Sequence, residues 1–345
     1  MMSNMINIHP VIDVLMSRKS QGSTPGNRQD DFRVGLAVEG GGMRGVLSAA
    51  MLTALVDYDL VDCFDAVYAY SAAAVNAVYF ASGGGWHSLS IYYDELIGSE
   101  FISYGRFARG GPLVSLDFVL DVVLEQRNPL DYQRVIDSPV ELHLIASSID
   151  QLKPVAFKNF TTKEEVRSAL KASACIPLVA GPPAIRNGER FVDGVVLLSH
   201  PFAAAAADGC THVLVIRTRS EGTSAGRMTA GKRLVASRME RLQPGMRKAM
   251  FSASAEYGPI AAEIRRRTED GDGTPYALEV SCPPGSHRVG RFTQDRGLVY
   301  DGIRAAYGAM LAALTGQRQE ILLRPLPFEL TEGTDKPVIR TTTPS

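Results

Sequence analysis

The sequence predicts an α/β protein, in which helices cover both sides of a mostly parallel sheet to form a three-layer sandwich. Short apolar segments alternate along the chain with segments of helical periodicity, which is the order expected of a parallel sheet covered by helices. The first of these segments, 34–38, is apolar at nearly every position, as expected of a strand that is buried on both faces. With 345 residues, 45% of them hydrophobic, the chain can fill such a core.

The individual elements follow from the spacing of apolar residues and from the turn residues between them. A short helix near Val11–Met16 precedes the first strand. Further strands are predicted at 64–70, 140–146, 153–157, 190–192, 211–217 and 276–281. Further helices are predicted from residue 46 onward and at 72–81, 163–174, 227–267 (with a break near Pro244) and 295–314.

We expect the chain to divide into three parts, although no linker rich in proline, glycine or serine separates them. Residues 1–31 are polar and rich in turn residues, and are predicted to form a partly ordered N-terminal arm. Residues 32–217 form the core, with a helical insertion at about 86–135. Residues 218–345 are predicted to be an extension of helices and strands that packs on this core and ends in a flexible tail from about residue 330.

Composition excludes several classes of protein. A formal net charge of −1 argues against a general nucleic-acid-binding protein. The four cysteines have neither metal-ligand spacing nor the pattern of a disulfide framework, so buried, reduced thiols are expected. The N-terminus lacks a signal-peptide pattern, and no apolar run has the length of a membrane span. We therefore expect a cytoplasmic protein without a cofactor or a metal ion. The sequence does not indicate an oligomeric state.

A glycine-rich turn, Gly40–Gly42, separates the first strand from the helix that follows. Glycine permits a close backbone approach, and the following helix directs its free N–H groups and its positive dipole end toward the turn. Such a turn binds an anion, which is either a stable phosphate or a transition-state oxyanion. Because the pattern is neither Gly-x-Gly-x-x-Gly nor a P-loop, a nucleotide site is the weaker alternative.

Ser71 and Asp193 are the candidate catalytic pair. Ser71 lies at a predicted junction of strand and helix, where a serine hydroxyl can act as an exposed nucleophile, although helix capping is the alternative role. Asp193 and Gly194 follow a short strand, and the aspartate is either the base for this serine or an ordinary turn residue. His200 offers a further alternative, a Ser–His–Asp triad.

At these residues the chain resembles the patatin-like phospholipase family, and more closely its bacterial branch. Residues 39–45 match the family's Gly-Gly-Gly-x-Arg/Lys-Gly loop, and 69–77 align with its Gly-x-Ser-x-Gly elbow and the small-residue helix that follows it. Residues 172–177 and 191–194, followed by Pro201, are similar to its second signature, in which an aspartate opens a turn.

The resemblance implies a patatin-like fold and a serine acyl hydrolase that cleaves lipid-type esters. Ser71 and Asp193 inherit the roles of a dyad that works through an acyl-enzyme without histidine. The oxyanion region falls on Gly40, Gly41, Gly42, Met43 and Arg44. The alternatives are an acyltransferase with the same acyl-enzyme, and a catalytically weak protein that binds lipid or acyl groups. Arg44 is expected either to help bind the oxyanion or a lipid phosphate, or to form a salt bridge at the start of the helix.

The elbow departs from the family pattern at both of its glycines, which are Ala69 and Ala73 here, so the motif is degenerate. Val195 likewise replaces the second glycine of the aspartate turn. Neighbours pack tightly around an elbow serine, so each extra methyl group must be accommodated. We expect the turn to be preserved and the two methyl groups to restrict which acyl groups approach Ser71.

The segment 217–267 is basic, with twelve Lys and Arg residues but only four Asp and Glu. Met228, Val235, Met239 and Leu242 fall roughly on one helical side. An ordinary solvated surface is one interpretation. The other is a peripheral contact between this basic segment and an anionic membrane.

Overall fold

The computed structural model describes residues 9–219 and 229–316, together with the backbone of 328–330 and 337–339. Eight strands within the first two ranges form one sheet, and the last two ranges form a separate antiparallel pair, β9 and β10. The eight strands are β1 Val34–Val38, β2 Ala66–Ala69, β3 Glu141–Ser148, β4 Lys153–Phe157, β5 Ala184–Arg186, β6 Glu189–Asp193, β7 His212–Ile216 and β8 Tyr276–Val280. The sequence predicted each of these except β5.

The strand order is β5-β6-β3-β2-β1-β7-β8, with β4 also paired to β3. The five strands from β3 to β8 in this order are parallel, whereas β4, β5 and β6 pair antiparallel. The mostly parallel sheet is therefore confirmed, with an antiparallel margin on one side. Antiparallel neighbours need no helical crossover, which explains why β3 to β6 include only one long helix between them.

The helices of the described residues cover both faces of the sheet. They are α1 Pro10–Gln21, α2 Gly45–Asp57, α3 Ala72–Ala81, α4 Gly85–Ser90, α5 Tyr104–Ala108, α6 Tyr132–Ile136, α7 Lys163–Ala174, α8 Pro201–Ala207, α9 Ala230–Leu242, α10 Met246–Asp270 and α11 Arg296–Thr315. The predicted helices agree closely, including the break before Met246, although α8 was not predicted. The insertion at 86–135 is helical as predicted and includes two π-helical segments, 91–95 and 118–127.

Alternate residues of the central strands enter two separate hydrophobic clusters, which defines the three layers. Leu36 packs with α2, α3 and α11 on one face of the sheet. Its neighbour Ala37 points to the opposite face, where α8 and α10 supply side chains such as Phe202 and Ile264. A third cluster joins the antiparallel margin to α9 through Met239. The three-layer α/β/α sandwich predicted from the sequence is confirmed.

Strand register brings the candidate catalytic residues to one edge of the sheet. Val38 pairs with Ala69, and Ala69 pairs with Leu144, so the chain segments that follow β1 and β2 emerge side by side. Asp193 pairs with Ala146 near the end of β3. The carboxyl ends of parallel strands are where α/β proteins place their ligands.

Helix α1 is attached to the sheet by a buried arginine. Arg18 is only 1% exposed, and its guanidinium forms ion pairs with Asp30 at 2.7 Å and Asp65 at 2.8 Å. Residues 1–8 of the predicted arm lie outside the described residues, as does most of the predicted tail from about residue 330. All four cysteines are free and buried, as predicted. Within the described ranges, no helix has the length and apolar character needed to cross a membrane.

Candidate active site

Ser71 occupies a sharp turn between β2 and α3. Its φ angle is +61°, a left-handed conformation that a residue other than glycine adopts only when its surroundings impose it. The Ser71 N–H donates to the carbonyl of Ser173 at 2.9 Å, which fixes the turn from α7. Although Ser71 occupies the N-cap position of α3, its hydroxyl makes no capping hydrogen bond. The alternative of a capping serine is therefore not supported.

The glycine turn lies directly against Ser71. A Cβ atom on Gly40 would lie 2.7 Å from the Tyr70 carbonyl oxygen and 2.8 Å from the Ser71 Cβ, so only glycine fits there. Among the described residues, the N–H groups of Gly41 and Gly42 have no hydrogen-bond acceptor. Both donors belong to the loop whose Gly40 packs against Ser71, and open backbone N–H groups of this kind can stabilise an oxyanion.

Met43 has a different role from the one predicted. Its N–H donates to the carbonyl of Arg291 at 3.0 Å, so this group is not free to bind an oxyanion. The same carbonyl oxygen would lie 2.7 Å from a Cβ atom on Gly42, whose φ is +61°. The segment around Arg291 therefore crosses the glycine turn in contact, and glycine at position 42 permits the crossing.

Asp193 is completely buried at the end of β6. Its Oδ1 accepts the Val195 N–H at 2.9 Å, while Oδ2 has no hydrogen-bond partner of ordinary geometry among the described residues. Burial raises the pKa of Asp193 to about 7, against the opposing effects of the Ser71 hydroxyl, the Val195 N–H and the Arg291 charge. The Ser71 hydroxyl is thus near enough to interact with this carboxyl group. Such contacts often shorten only when substrate binds.

His200 does not complete a triad. Its imidazole is fully buried at the N-terminus of α8, where Nδ1 accepts the Phe202 N–H at 3.1 Å. Within the described part of the chain, Nε2 has no hydrogen-bond partner. Burial lowers the pKa of His200 to about 4, so the ring is neutral at neutral pH. No hydrogen bond of the described residues joins it to Ser71 or Asp193.

Glu39 anchors the start of the glycine turn, and the sequence analysis assigned it no role. Its buried carboxylate accepts the Tyr257 hydroxyl at 2.8 Å and the Thr218 N–H at 3.0 Å, and lies 2.9 Å from Arg219. Although burial alone would raise the pKa of Glu39, the Arg219 charge and the Tyr257 hydrogen bond keep it below its usual value. The carboxylate is therefore ionised and holds the turn in place.

Arg44 does not form the helix-start salt bridge that was one of its two predicted roles. No carboxylate of the described residues lies within ion-pair distance of its guanidinium, and its Nε is buried without a hydrogen-bond partner. The side chain folds over the glycine turn, because Nε lies 3.1 Å from the position of a Cβ on Gly41. The Arg44 side chain therefore packs on the glycine turn.

Ala69 and Ala73, which replace the elbow glycines, are both 0% exposed and belong to the main hydrophobic cluster. The turn at Ser71 is preserved, as expected. The two methyl groups, however, contact the protein interior and line no space open to solvent. The interpretation that they restrict the approach of acyl groups is therefore wrong, because side chains enclosed in this way cannot touch an approaching substrate.

A group of potential metal ligands lies at the opposite edge of the sheet, near the start of β3. Glu141, His143 and Asp208 place their donor atoms within 4.8 Å of one another. The guanidinium of Arg33 already bridges the two carboxylates, at 3.0 Å from Glu141 and 2.5 Å from Asp208. This cation compensates the acidic charges, so the group is an ion-pair network of the strand ends and not a candidate metal centre.

An α/β sheet with a serine at a left-handed turn beside a glycine loop has the geometry of a nucleophile elbow. Residues 36–206 match the family described as Patatin-like phospholipase, so the chain carries a domain of this family. This finding confirms the resemblance inferred from the sequence motifs. The match includes the glycine loop, Ser71 and Asp193, but it ends before Thr218 and the residues that follow.

The chain is similar to an uncharacterised protein, YjjU, from Escherichia coli strain K12. The two are 29% identical over 189 residues, which cover 54% of this chain and 52% of the relative. The alignment thus spans about half the length of that relative. The chain is also similar to the crystal structure of VipD from Legionella pneumophila, with 10% sequence identity and a TM-score of 0.42. The superposition covers 83% of this chain and 67% of the VipD chain. This TM-score is too low to define the fold, which follows from the strand order itself.

Proposed function

We propose that the protein is a serine acyl hydrolase that cleaves lipid-type carboxylic esters through a Ser71–Asp193 dyad. The observation that carries this proposal is the left-handed turn at Ser71, which lies between a glycine loop with open N–H donors and a buried aspartate. Strained turns of this kind persist where function requires them. Membership of the patatin-like phospholipase family supports the choice of ester substrates.

In the proposed mechanism, the ionised Asp193 carboxylate accepts the hydroxyl proton as Ser71 Oγ attacks the ester carbonyl carbon. The N–H groups of Gly41 and Gly42 stabilise the resulting oxyanion. Collapse of the tetrahedral intermediate releases the alcohol, which receives the proton from Asp193, and leaves an acyl ester on Ser71. Water then attacks this ester while Asp193 accepts its proton. The bond to Ser71 Oγ breaks, Oγ receives that proton from Asp193, and the carboxylic acid is released.

The acyl-enzyme provides a direct test of this proposal. Rapid mixing with 4-nitrophenyl butyrate, followed by acid quenching and peptide mass mapping, is expected to find a butyryl group on the peptide that contains Ser71. Adding glycerol or another alcohol then separates hydrolysis from acyl transfer, because a transferase would form the new ester in preference to the free acid. A butyryl group found mainly on another residue would contradict the assignment of the nucleophile.

The double substitution Ala69→Gly, Ala73→Gly is expected to reduce stability without changing substrate preference. Both alanines are buried in regular structure, where glycine is less favourable than alanine by about 0.5–1 kcal/mol at each position. The free energy of unfolding should therefore fall by about 1–2 kcal/mol in total, as measured by denaturant titration. The ratio of kcat/KM between long-chain and short-chain 4-nitrophenyl esters should remain that of the parent protein. A large change in this ratio, with the fold intact, would show that the methyl groups limit access after all.

We further propose that the exposed faces of α9 and the first half of α10 contact an anionic membrane surface. Five exposed cations lie there, together with two exposed apolar side chains, Leu234 at 61% and Phe251 at 37%. These cations are Arg233, Arg238, Arg241, Arg247 and Lys248. Two other described cations of the segment contribute less, since Arg217 is buried against Glu279 and Arg266 pairs with Glu263, Asp270 and Asp272. Residues 220–228, which include Met228 of the predicted apolar side, lie outside the described residues. Cations that flank apolar side chains are suited to the interface of an anionic bilayer.

Vesicle binding tests this surface. The protein should bind vesicles that contain phosphatidylserine more tightly than pure phosphatidylcholine vesicles, and added salt should weaken this binding because the cations are exposed. Each basic residue near an anionic surface contributes about 1 kcal/mol, so Arg247→Gln with Lys248→Gln should lower the affinity by roughly tenfold or more. Arg304→Gln, on the exposed part of α11, is the matched control. Equal binding to both vesicle types at low salt would contradict the proposal.

A further inference from the structure

Helix α3, which follows Ser71, contains a single amide side chain within an apolar sequence. Its other residues are alanine, valine, tyrosine and phenylalanine, and the amide belongs to Asn76. Asparagine is a weaker helix former than alanine or leucine, and a buried amide costs free energy unless its hydrogen bonds are satisfied. Asn76 is 0% exposed. Neither helix formation nor apolar packing therefore accounts for this side chain.

All four hydrogen-bonding positions of the Asn76 amide are occupied. Nδ2 donates to the carbonyl of Gly45 at 2.8 Å and to the hydroxyl of Ser48 at 3.1 Å. Oδ1 accepts the hydroxyl of Ser88 at 3.0 Å and that of Tyr92 at 3.1 Å. Because the Gly45 carbonyl can only accept, it determines the orientation of the amide. A buried network in which every group is satisfied holds its elements in one arrangement.

These bonds join the helices that follow the glycine loop and the serine turn. Gly45 is the first residue of α2, directly after the loop, and Ala72 is the first residue of α3, directly after Ser71. A Cβ atom on Gly45 would lie 2.9 Å from the Ala72 Cβ and would overlap the Tyr92 hydroxyl, so the two helices touch at their first turns. Asn76 lies about one turn further along α3 and bonds across this contact. The amide therefore links the loop that carries the open N–H donors to the turn that carries Ser71.

The helical insertion supplies the other half of the network. Ser88 lies in α4 and Tyr92 in the π-helical segment 91–95, and both are buried. Such π-helical segments are frequent at functional sites. Both hydroxyls donate to Oδ1, which leaves Nδ2 facing Gly45. The insertion thus fixes the rotation of the Asn76 amide.

We infer that Asn76 is a positioning residue, which fixes the distance between the Ser71 hydroxyl and the N–H donors of the glycine loop. Its hydrogen-bonding positions are all occupied by other groups, so it acts on the reaction through the first turns of α2 and α3. Displacing a catalytic group by about 1 Å can lower a rate by about a hundredfold. The inference rests on the proposed function for the identities of the nucleophile and of the oxyanion donors.

Two matched tyrosine variants provide the main test. Tyr92→Phe removes one hydrogen bond to Asn76, whereas Tyr79→Phe, on α3, removes a hydrogen bond to the Asn128 carbonyl, outside this network. Both tyrosines are buried, so a merely structural role predicts similar losses of stability and of rate in the two variants. A positioning role predicts that kcat for 4-nitrophenyl butyrate falls at least about fivefold in Tyr92→Phe, with KM within about twofold, while Tyr79→Phe keeps both constants within about twofold. Equal kinetics in the two variants would overturn the inference.

A transition-state analogue measures the geometry of the site directly. In the proposed mechanism, Ser71 Oγ adds to the carbonyl carbon of an alkyl trifluoromethyl ketone, Asp193 takes the serine proton, and the ketone oxygen becomes an oxyanion at the glycine loop. The inhibition constant should therefore rise in Tyr92→Phe by the same factor by which kcat/KM falls. Asn76→Ala removes the whole link and, where it folds, should show a larger rise and a loss of about a hundredfold in kcat. An unchanged inhibition constant in Tyr92→Phe would contradict a positioning role.

Hydrogen exchange separates this inference from the proposed function. The N–H groups of residues 43–45 are hydrogen-bonded, so a peptide that spans 40–47 reports on the order of the glycine loop without catalysis. Faster exchange there in Tyr92→Phe than in Tyr79→Phe, in a protein that hydrolyses no ester, would leave the link standing and remove the hydrolase assignment. Ser71-dependent hydrolysis, with the same exchange and the same kinetics in both variants, would remove the link and leave the hydrolase assignment standing.

Discussion

Ser71→Ala is expected to reduce hydrolysis of 4-nitrophenyl esters by at least about a thousandfold, because the proposed acyl-enzyme forms on the Ser71 hydroxyl. The loss should appear in kcat, since the glycine loop and the surrounding surface still bind the substrate. The same substitution should abolish labelling by a fluorophosphonate, which the parent protein should attach to Ser71 Oγ with a stoichiometry of about one.

The structure also predicts how this variant folds. The Ser71 hydroxyl makes no capping hydrogen bond, and the N–H that fixes the turn remains in alanine. The left-handed φ of +61° is no easier for alanine than for serine, so the thermal midpoint should change little. Ser20→Ala, an exposed serine that bonds only within α1, is the matched control and should keep full activity and labelling. Retained hydrolysis or labelling in Ser71→Ala would eliminate the elbow nucleophile.

Local sequence patterns predicted the parts of the site that belong to one short segment each. The apolar strand β1, the glycine turn and helix α2 are contiguous, so their pattern is complete within about twenty residues, and the structure confirms it. The same holds for the strand–serine–helix turn at Ser71. Helix α7 begins at a capping box formed by Thr162 and Glu165, which is a local signal as well.

The contacts that hold the glycine turn could not be predicted, because they join distant segments. Glu39 meets Arg219 and Tyr257, and Met43 meets Arg291, across separations of more than one hundred and seventy residues. No local pattern indicates such a partner. One weak signal was present, namely a glutamate at the end of an apolar strand, since a buried carboxylate requires a partner of opposite charge.

The environment of the elbow alanines could not be predicted from the sequence either. A comparison of motifs shows that Ala69 and Ala73 differ from glycine, but not whether their methyl groups point to substrate or into the core. That direction depends on the pleat of β2 and the rotation of α3, and the structure places both methyl groups inside. Strand β5 of the antiparallel margin was not predicted, because it has only three residues and lacks a strong apolar pattern.

Asp193→Asn is expected to lower kcat for ester hydrolysis by about a thousandfold, because the amide cannot accept the Ser71 proton. His200→Ala should keep most of the rate, since this imidazole is neutral, buried and not bonded to either dyad residue. A loss in His200→Ala as deep as that in Asp193→Asn, with both proteins folded, would replace the dyad with a triad.

The pH dependence gives a second measurement of the same role. Burial raises the pKa of Asp193 to about 7, and only the ionised carboxylate can act as a base. The rate of ester hydrolysis should therefore be low at pH 5 and increase through pH 7 toward a plateau. A profile with its midpoint near pH 4 would show that a carboxyl group of ordinary pKa controls the rate.

The stability of Asp193→Asn distinguishes a catalytic carboxylate from a structural one. Because the folded-state pKa is above the unfolded value of 3.8, the folded protein favours the protonated form, and ionisation destabilises it as the pH rises from about 4 to about 7. Asparagine is neutral at every pH, and its side-chain oxygen can still accept the Val195 N–H. Denaturant titration at pH 8 should therefore find the variant at least as stable as the parent protein, although it is almost inactive. A variant that is both inactive and less stable at pH 8 would instead indicate that the Asp193 carboxylate is a structural anchor of the turn.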